Sequence, residues 1–519
     1  MHSSRSRSLN IKTIKDSPSR FFYLSLLTTL FLAVFYNTVT NMAGIYIVSD
    51  LGGENFTSVY AMVFFGLGNI LSLPLTIPLS NRFGPIRVLV FCLLLYTGFS
   101  ILCGIAQTFF IFNLYRFGMG VASGPFYLLC RKVLVACASP EECKTYSFFM
   151  LLLYAVVPVL GASFGAWLAY DNFWRWIFHV NEPISLFLAG YFWFFHRKRD
   201  SDFLGDPRVD KISYFFFAIG ISSLLTAATL SQQLDWYRSP TLVFLTLIGV
   251  PSLLFAILWD LKSPTPLLHL RLLKNWLLSF SLINLAVLFS SYFGMIILIS
   301  LWLNLYVNYT PWWITILVGT MANAGLFAYF VIKRVLERYD PRYMLGLAIL
   351  FFAISCYYST FFDVDVDLFH LAVARAIAGF GLVLFLFPLF DLLSISCASD
   401  KFTSAFTLFQ LTRVLSSSLG AALYVIVWQR RQVFFHERLG EGLTINSQLT
   451  LNYFQRATEI FKLTKEQAIA QLDVYLERQA TSLGLNDVFG CMGYILLALL
   501  ALLVISFFKT SIPSKYNTP

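Results

Sequence analysis

The sequence predicts an all-α polytopic membrane protein with fourteen membrane-spanning helices. Of its 519 residues, 58% are apolar and only 12% are charged, whereas a soluble domain carries about 25% charged residues. Uncharged runs that are long enough to cross roughly 30 Å of hydrocarbon recur along almost the whole chain. Basic and acidic connections alternate between these runs, as expected for a chain that crosses the membrane repeatedly.

The uncharged runs define the individual helices, because a helix needs roughly 20 residues to span a bilayer. The stretch 275–332 contains no Asp, Glu, Lys or Arg, and we divide it at the turn-like segment Asn308-Tyr309-Thr310-Pro311. The predicted spans cover residues 22–48, 57–79, 88–106, 110–130, 146–169, 177–195, 212–230, 240–258, 280–303, 313–332, 343–361, 368–390, 403–427 and 489–508.

The charges of the connections predict the orientation, since Lys and Arg in short loops are retained in the cytoplasm. Both termini are expected in the cytoplasm. The expected location is the cell membrane, or the inner membrane of an organism that has two. This topology explains the net charge of +10, so no nucleic-acid partner is expected. The orienting basic residues are Arg5, Arg7, Lys12, Lys15, Arg20, Arg82, Arg87, Arg131, Lys132, Arg197, Lys198, Arg199, Arg271, Lys274, Lys333, Arg334, Arg338, Arg342 and Lys509.

No apolar stretch precedes residue 21, so the first span is predicted to be retained and not cleaved as a signal peptide.

Neither an enzyme nor a metal or cofactor site is expected. The eight cysteines fall in membrane runs or cytoplasmic segments, which argues against a disulfide framework or a metal site. The six histidines are scattered, without an HExxH, GxSxG or CxxC pattern.

One long outer loop, residues 429–487, is the only sizeable soluble segment. Residues 463–483 have helical apolar spacing, and Thr464 with Gln467 resembles a capping box. The sequence predicts an amphipathic helix over the outer face, which serves either as a structural cover or as a binding element.

Gly, Pro and Arg residues inside the predicted helices indicate a pathway. Arg116 lies one turn before Gly120, and a guanidinium in hydrocarbon usually marks a substrate or ion route. An arginine that packs helices by bonding backbone carbonyls is the alternative. Pro158, Gly161 and Gly165 share one helical face, which is typical of a tight helix crossing or of a gate.

Motifs in a fixed order along residues 21–508 resemble those of one transporter family. The most specific, Trp174-Arg175-Trp176-Ile177-Phe178-His179-Val180-Asn181-Glu182-Pro183, connects the fifth and sixth spans. Together the motifs resemble those of the fourteen-helix drug:proton antiporter branch of the major facilitator superfamily. The others are residues 36–43, 82–87, 116–120, 158–165, 235–237, 266–272, 303–310 and 413–420.

The resemblance implies a major facilitator fold, with two six-helix bundles and two additional helices between them. Rocking of the bundles is expected to expose a midplane cavity to each side in turn. The implied division is a basic tail 1–20, an N-terminal bundle 21–196, additional helices 7 and 8 with their linkers 197–275, a C-terminal bundle 276–508, and a tail 509–519.

Three asparagines depart from the family pattern. Asn37 stands where the resemblance implies a first-helix carboxylate, Asn81 where it implies an aspartate, and Asn304 where it implies a glutamine. An asparagine cannot exchange a proton, so coupling through the first span is in question. Glu182, beside His179, is the remaining candidate proton site, and its alternative is an exposed or arginine-paired carboxylate.

The expected pathway residues favour an anionic or zwitterionic small-molecule substrate, because their arginines lack acidic partners. They are Tyr36, Asn37, Arg116, Trp302, Asn304 and Arg413. The residues expected to gate or pack the helices are Asn81, Arg82, Gly84, Gly120, Pro158, Gly161 and Gly165.

The leading functional hypothesis is export of a small organic compound, drug-like or metabolic, driven by the proton gradient, as the resemblance implies. The expected partners are this small-molecule substrate, protons and the lipid bilayer. An alternative is uptake or facilitated diffusion of an anionic metabolite or siderophore-like solute without first-helix coupling. A third, of another class, is a sensor or assembly protein that transports nothing. An envelope partner protein is a further open expectation.

Overall fold

The computed structural model describes residues 19–171, 173–196, 208–336, 340–398, 401–443 and 447–509, and this part of the chain is α-helical without strands. The basic tail before residue 19, the cluster Arg197-Lys198-Arg199 and the tail after residue 509 lie outside the described residues. The helices are α1 (Arg20–Thr38), α2 (Thr40–Leu51), α3 (Tyr60–Phe83), α4 (Pro85–Gly104), α5 (Phe109–Cys137), α6 (Pro140–Asp171), α7 (Trp176–His179), α8 (Asn181–His196), α9 (Lys211–Leu230), α10 (Pro240–Lys262), α11 (Trp276–Leu305), α12 (Pro311–Leu336), α13 (Pro341–Ser359), α14 (Leu368–Ser396), α15 (Phe402–Glu441), α16 (Gln448–Glu459) and α17 (Lys465–Lys509).

Every predicted span contains a helix. Thirteen helical segments of the described chain are long and apolar enough to cross a membrane. The remaining predicted span, residues 177–195, is built from the single turn α7 and the 16-residue α8, which rises about 24 Å. α8 packs on α4, where the hydroxyl groups of Thr97 and Ser185 lie 2.7 Å apart. The fold is therefore an all-α membrane bundle.

The helices form two groups that pack against each other. In the first group, termed the N-terminal bundle, α3 and α4 pack on α5, and α1 and α2 pack on α6. In the second, the C-terminal bundle, α11 packs on α15, α14 packs on α12 and α13, and α17 packs on α13 and α15. The two bundles meet along α6 with α12 and along α3 with α15. The paired helices α9 and α10 lie outside them, and α9 contacts α3 and α15.

The connections distinguish two ends of this assembly. We call the end with Arg87, Lys132 and Lys274 the basic end, and the end with Asp50, Glu54 and the connection between α13 and α14 the acidic end. α3 and α5 cross with their backbones in contact, since a Cβ atom on Gly120 would lie 2.0 Å from the Phe65 carbonyl oxygen. Such a close approach requires glycine.

The segment expected as a long outer loop is largely helical. α15 continues to Glu441, and α17 begins at Lys465 and runs without interruption into the last span. Thr464 and Gln467 form the predicted capping box. The Thr464 N–H donates to Gln467 Oε1 at 3.0 Å, and the Gln467 N–H donates to Thr464 Oγ1 at 3.3 Å. The extensions of α15 and α17 are paired through Arg431 with Asp487 and through His436 with Asp473. We call residues 429–443 and 447–487 the helical extension.

Candidate functional site: a closed pathway between two bundles

Arg116 binds the first span at the junction between α1 and α2, a point that we call the break. Val39 at this junction keeps helical dihedral angles, and its N–H donates to the Phe35 carbonyl at 2.9 Å, so the backbone is not unwound there. Arg116 Nη2 donates to the Tyr36 carbonyl at 2.8 Å and to Thr40 Oγ1 at 3.2 Å, and its guanidinium carbon lies 4.4 Å from the Phe65 ring centroid. The arginine is completely buried. In this conformation Arg116 donates to a backbone carbonyl beside that junction, as in the carbonyl-bonding alternative raised by the sequence.

The glycines of α6 lie against the same break. A Cβ atom on Gly165 would lie 2.1 Å from the Val39 carbonyl oxygen, and one on Gly161 would lie 2.4 Å from Thr38 Oγ1. Pro158 lies one turn earlier on α6 and removes a backbone donor there. The motif therefore produces a tight crossing of α6 with the first span.

Arg413 lies at the interface between the bundles. Its guanidinium carbon lies 4.5 Å from the ring centroid of Tyr127 on α5 and 4.8 Å from that of Tyr154 on α6. Its Nε donates to Gln410 Oε1 at 2.8 Å. Arg413 Nη2 and Gln410 Nε2 are both buried, and neither has a hydrogen-bond partner among the described residues. The interface thus holds a guanidinium between tyrosine rings, with two unused donors.

Aromatic contacts join the two bundles towards the basic end, and we call them the basic-end closure. Arg131 of α5 lies over three phenyl rings of the C-terminal bundle, with centroid distances of 4.5–4.9 Å. Phe148 of α6 stacks on Phe387 of α14 at 4.9 Å. These contacts join the bundles on the basic side of Arg413. The three rings beneath Arg131 are Phe390, Phe402 and Phe406.

A second set of contacts joins the bundles near the acidic end. The rings of Phe56 and the fully buried Trp428 meet edge to face at 5.6 Å. Asn304 Nδ2 donates to the Tyr46 hydroxyl oxygen at 3.2 Å. The two bundles are therefore in contact on both sides of Arg413.

Tyr36, Asn37 and Trp302 do not join Arg413 in one cluster. The Tyr36 hydroxyl donates to the Ile177 carbonyl at 2.7 Å, within the N-terminal bundle. Asn37 is 4% exposed and Trp302 is fully buried. Asn37 Oδ1 and Trp302 Nε1 have no hydrogen-bond partner in the described part of the chain. They remain polar groups available inside the closed assembly.

Glu182 pairs with histidine. His179 Nδ1 and Glu182 Oε1 lie 2.6 Å apart, and these side chains are 33% and 23% exposed. Arg175 instead forms an ion pair with Asp50 at 3.2 Å. The pair lies at the acidic end, and its histidine ring packs on Gly104, where a Cβ atom would lie 2.7 Å from the ring.

The contacts of Asn81 lie within the N-terminal bundle. Lys132 Nζ donates to Asn81 Oδ1 at 2.6 Å and to Ser80 Oγ at 2.9 Å, so α3 and α5 are joined through a neutral amide. Arg82 lies over the ring of its neighbour Phe83 at 5.1 Å. Gly84 ends α3 with φ 92°, a backbone conformation that favours glycine.

Two arginines have contacts that the sequence pattern does not predict. Arg131 fits an orientation anchor by its position in the sequence, but it also contacts the other bundle. Arg375 is 1% exposed on α14 and donates to Ser359 Oγ at 2.8 Å and to the Met295 carbonyl at 3.4 Å. Its pattern, with Gly379 four residues later, repeats that of Arg116 and Gly120, and a Cβ atom on Gly379 would lie 2.3 Å from a carbonyl oxygen of α12. Comparison of the two chain halves could have found it.

Comparisons with known proteins agree with this architecture. A sequence model of the Major Facilitator Superfamily matches residues 24–421. The chain is 25% identical to the multidrug export protein EmrB of Haemophilus influenzae, over 91% of this chain and 93% of that protein. It is also 25% identical to the fatty acid resistance protein FarB of Neisseria gonorrhoeae, over 92% and 94% of the two chains.

Solved structures share the fold. A POT family transporter in complex with 5-aminolevulinic acid has a TM-score of 0.63 at 12% identity, covering 95% of this chain and 98% of that one. A bacterial homologue of the human lysosomal transporter Spinster, inward-facing and occupied, has a TM-score of 0.56 at 13% identity, covering 94% and 97%. The chain therefore belongs to the major facilitator superfamily and is a membrane transporter, not an enzyme.

Proposed function

We propose that this transporter exports small amphipathic organic compounds that carry an anionic group, by alternating access. The observation that carries the proposal is Arg413, a buried guanidinium between two aromatic closures at the bundle interface. The names of the relatives, multidrug export and fatty acid resistance, support efflux of such compounds.

The chemistry around Arg413 suits a carboxylate attached to an apolar body. A guanidinium binds carboxylates through two parallel hydrogen bonds, and Arg413 Nη2 together with Gln410 Nε2 has donor capacity to spare. A buried donor without a partner costs about 1–3 kcal/mol, which a bound anion would offset. Tyr127, Tyr154 and Phe289 supply the apolar walls.

Alternating access then requires the two closures to open in turn. The basic-end closure contains cation–π and ring contacts, whereas the acidic-end closure contains the Phe56–Trp428 contact and the Asn304–Tyr46 hydrogen bond. Contacts of this size can break at one end and form at the other as rigid bundles rotate against each other. In this proposal the junction of α1 and α2 at Val39, which contacts Gly165 and lies beside the carbonyl bound by Arg116, accommodates the movement.

Proton coupling is assigned, within the proposal, to Glu182 with His179. Their 2.6 Å contact places a carboxylate beside an imidazole, and both side chains are partly buried. Tyr36 connects the first span to the carbonyl of Ile177, two residues before that histidine. Asn37 favours a second candidate function, which is facilitated movement of an anion without proton exchange. Glu182→Gln should abolish substrate-driven pH changes in the first case and leave flux unaltered in the second.

We further propose that the basic end is cytoplasmic and that the helical extension points outward. Phe434, Phe461 and Tyr475 of this extension are 41%, 69% and 52% exposed. Exposed aromatic side chains of this size are typical of a surface that contacts another protein, which supports the expectation of an envelope partner. Cross-linking from position 461 in intact cells would test that contact.

The proposed function is tested by flux in proteoliposomes that contain the full chain. Oleate serves as the anionic amphiphile and ethidium as the lipophilic cation. Arg413→Ala should lower oleate flux at least about tenfold, because the loss of one charge-assisted hydrogen bond weakens binding by at least that factor. Its effect on ethidium flux should be smaller. Arg238→Ala, which removes an 86% exposed arginine at the surface, is the matched control. Equal oleate flux in the wild type and in correctly folded Arg413→Ala would overturn the proposal.

A further inference from the structure

A separate cleft lies between α3, α5 and α9, outside the pathway. Its volume is about 1000 Å³, and it opens near the acidic end. Its walls are residues 60–67 of α3, 109–117 of α5 and 222–230 of α9, which each extend about 12 Å along the helix axis. One leaflet of the hydrocarbon core is about 15 Å thick. The cleft therefore has the depth of one leaflet.

The inner part of the cleft is apolar and open to the side. Phe64, Leu67 and Phe117 line it, together with Phe110 and Leu114, which are 79% and 55% exposed. The neighbouring α10 is also mostly exposed along its apolar length, so this side of the molecule faces the bilayer. A hydrocarbon chain is the chemistry that fills such a space without leaving apolar surface uncovered.

The rim of the cleft accepts hydrogen bonds and carries negative charge. Glu54 is the only charged side chain among the described residues that line the cleft, and no described basic side chain forms an ion pair with it. Asn113 is 6% exposed, and its Oδ1 is buried without a partner in the described chain. The nearby Arg175 is engaged by Asp50 and by the Ala106 carbonyl. An occupant with a cationic donor fits this rim.

We propose that the cleft binds one phospholipid with an ammonium headgroup, drawn from the leaflet at the acidic end. One acyl chain lies between α5 and α9, and the headgroup ammonium lies against Glu54 and Asn113. Because α9 also contacts α3 and α15, the bound lipid completes the packing of the additional helix pair on the two bundles. This inference is independent of the transported substrate.

Native mass spectrometry of the full chain tests the site. The protein is incubated with equal amounts of palmitoyl-oleoyl phosphatidylethanolamine and phosphatidylglycerol, and the retained lipid is counted. The wild type should retain one phosphatidylethanolamine in preference to phosphatidylglycerol. Glu54→Gln should reduce that preference about two- to fivefold, the range for one partly exposed charge pair. Asp365→Asn, a charge removed from an exposed connection at the same end, should leave it unchanged.

A second variant tests the acyl chain. Leu114→Trp should fill the cleft and reduce the retention of both lipids, while a monodisperse protein with unchanged oleate flux shows that folding is preserved. Equal retention of the two lipids by the wild type, or an unchanged preference in Glu54→Gln, would overturn the proposal. Displacement of the lipid by oleate in equal number would instead assign the cleft to substrate and equally refute it.

Discussion

Replacing Arg131 by leucine should open the basic end. This guanidinium contacts three phenyl rings of the other bundle at 4.5–4.9 Å. A cation–π contact contributes about 0.5–1 kcal/mol at exposed sites and about 2 kcal/mol where it is desolvated. Because one guanidinium serves all three rings, the contributions do not add fully, and we take about 2 kcal/mol in total. That energy shifts the ratio of closed to open molecules about 30-fold.

Distances across the basic end measure this shift. Spin labels on non-canonical residues at positions 144 and 401, both exposed, avoid the native cysteines and report on the two bundles in nanodiscs. Arg131→Leu should move the distance distribution towards longer values, and Arg131→Lys should give an intermediate result because its charge is retained without the planar group. An unchanged distribution in Arg131→Leu would refute the role of this contact as a closure.

A matched control separates the closure from the loss of any cation–π contact. Arg430 lies 4.2 Å from the ring centroid of Trp236, a contact at the acidic end between α15 and the connection of α9 with α10. Arg430→Leu should leave the basic-end distances unchanged. A lengthening in this variant as large as that in Arg131→Leu would show that the distance reports general destabilisation.

Three other predictions concern Gly165 at the helix crossing, Asn37 in the first span and Arg375 of α14. Gly165→Val should lower the unfolding temperature and abolish transport, because its Cβ atom would lie 2.1 Å from the Val39 carbonyl oxygen; Gly98→Val, with open space around its Cβ position, should do neither. Asn37→Asp should make transport depend on the proton gradient by adding a titratable group to the first span, and pH-independent flux in this variant would place coupling elsewhere. Arg375→Ala should destabilise the purified protein by about 1.5–3 kcal/mol through the loss of charged hydrogen bonds, and an unchanged thermal midpoint would contradict that role.

The membrane spans were predictable because hydrophobicity and length together determine where a helix can cross. The break at Val39 was not predictable in the same way. No proline or glycine marks it, and it is held by contacts with Arg116 and Gly165, which lie far along the chain. A local sequence pattern does not contain these tertiary contacts.

The helical extension shows a different limit. Residues 429–441 and 465–487 are too polar to be membrane spans, so a hydropathy pattern presents them as a loop. Hydropathy reports where a segment lies and not whether it is helical, and α15 and α17 therefore continue past the predicted ends of their spans. The capping box at Thr464 was the local signal that did identify the start of α17.

Arg131 shows that a charge pattern predicts the orientation of a helix end but not the tertiary contacts of its side chains. In the sequence it stands beside Lys132 at a helix end, which is typical of an orientation anchor. Its aromatic partners lie more than 250 residues later, on α14 and α15. Only the packing of the two bundles brings them together, and the anchor is thereby also part of a closure.

The buried arginines differ in where they lie, and this difference bears on coupling. Arg116 and Arg375 donate to carbonyl and hydroxyl oxygens inside their own bundles, although Arg375 Nε has no hydrogen-bond partner among the described residues. Arg413 keeps its buried Nη2 donor without a described partner at the interface between the bundles. A buried charge without a counter-charge is costly. The proposed function therefore predicts that an anionic substrate stabilises the closed state and that a neutral one does not. Asn37 is neutral and supplies no charge of its own to the first span. In the proposed function, the charge that links binding to closure therefore belongs to the substrate.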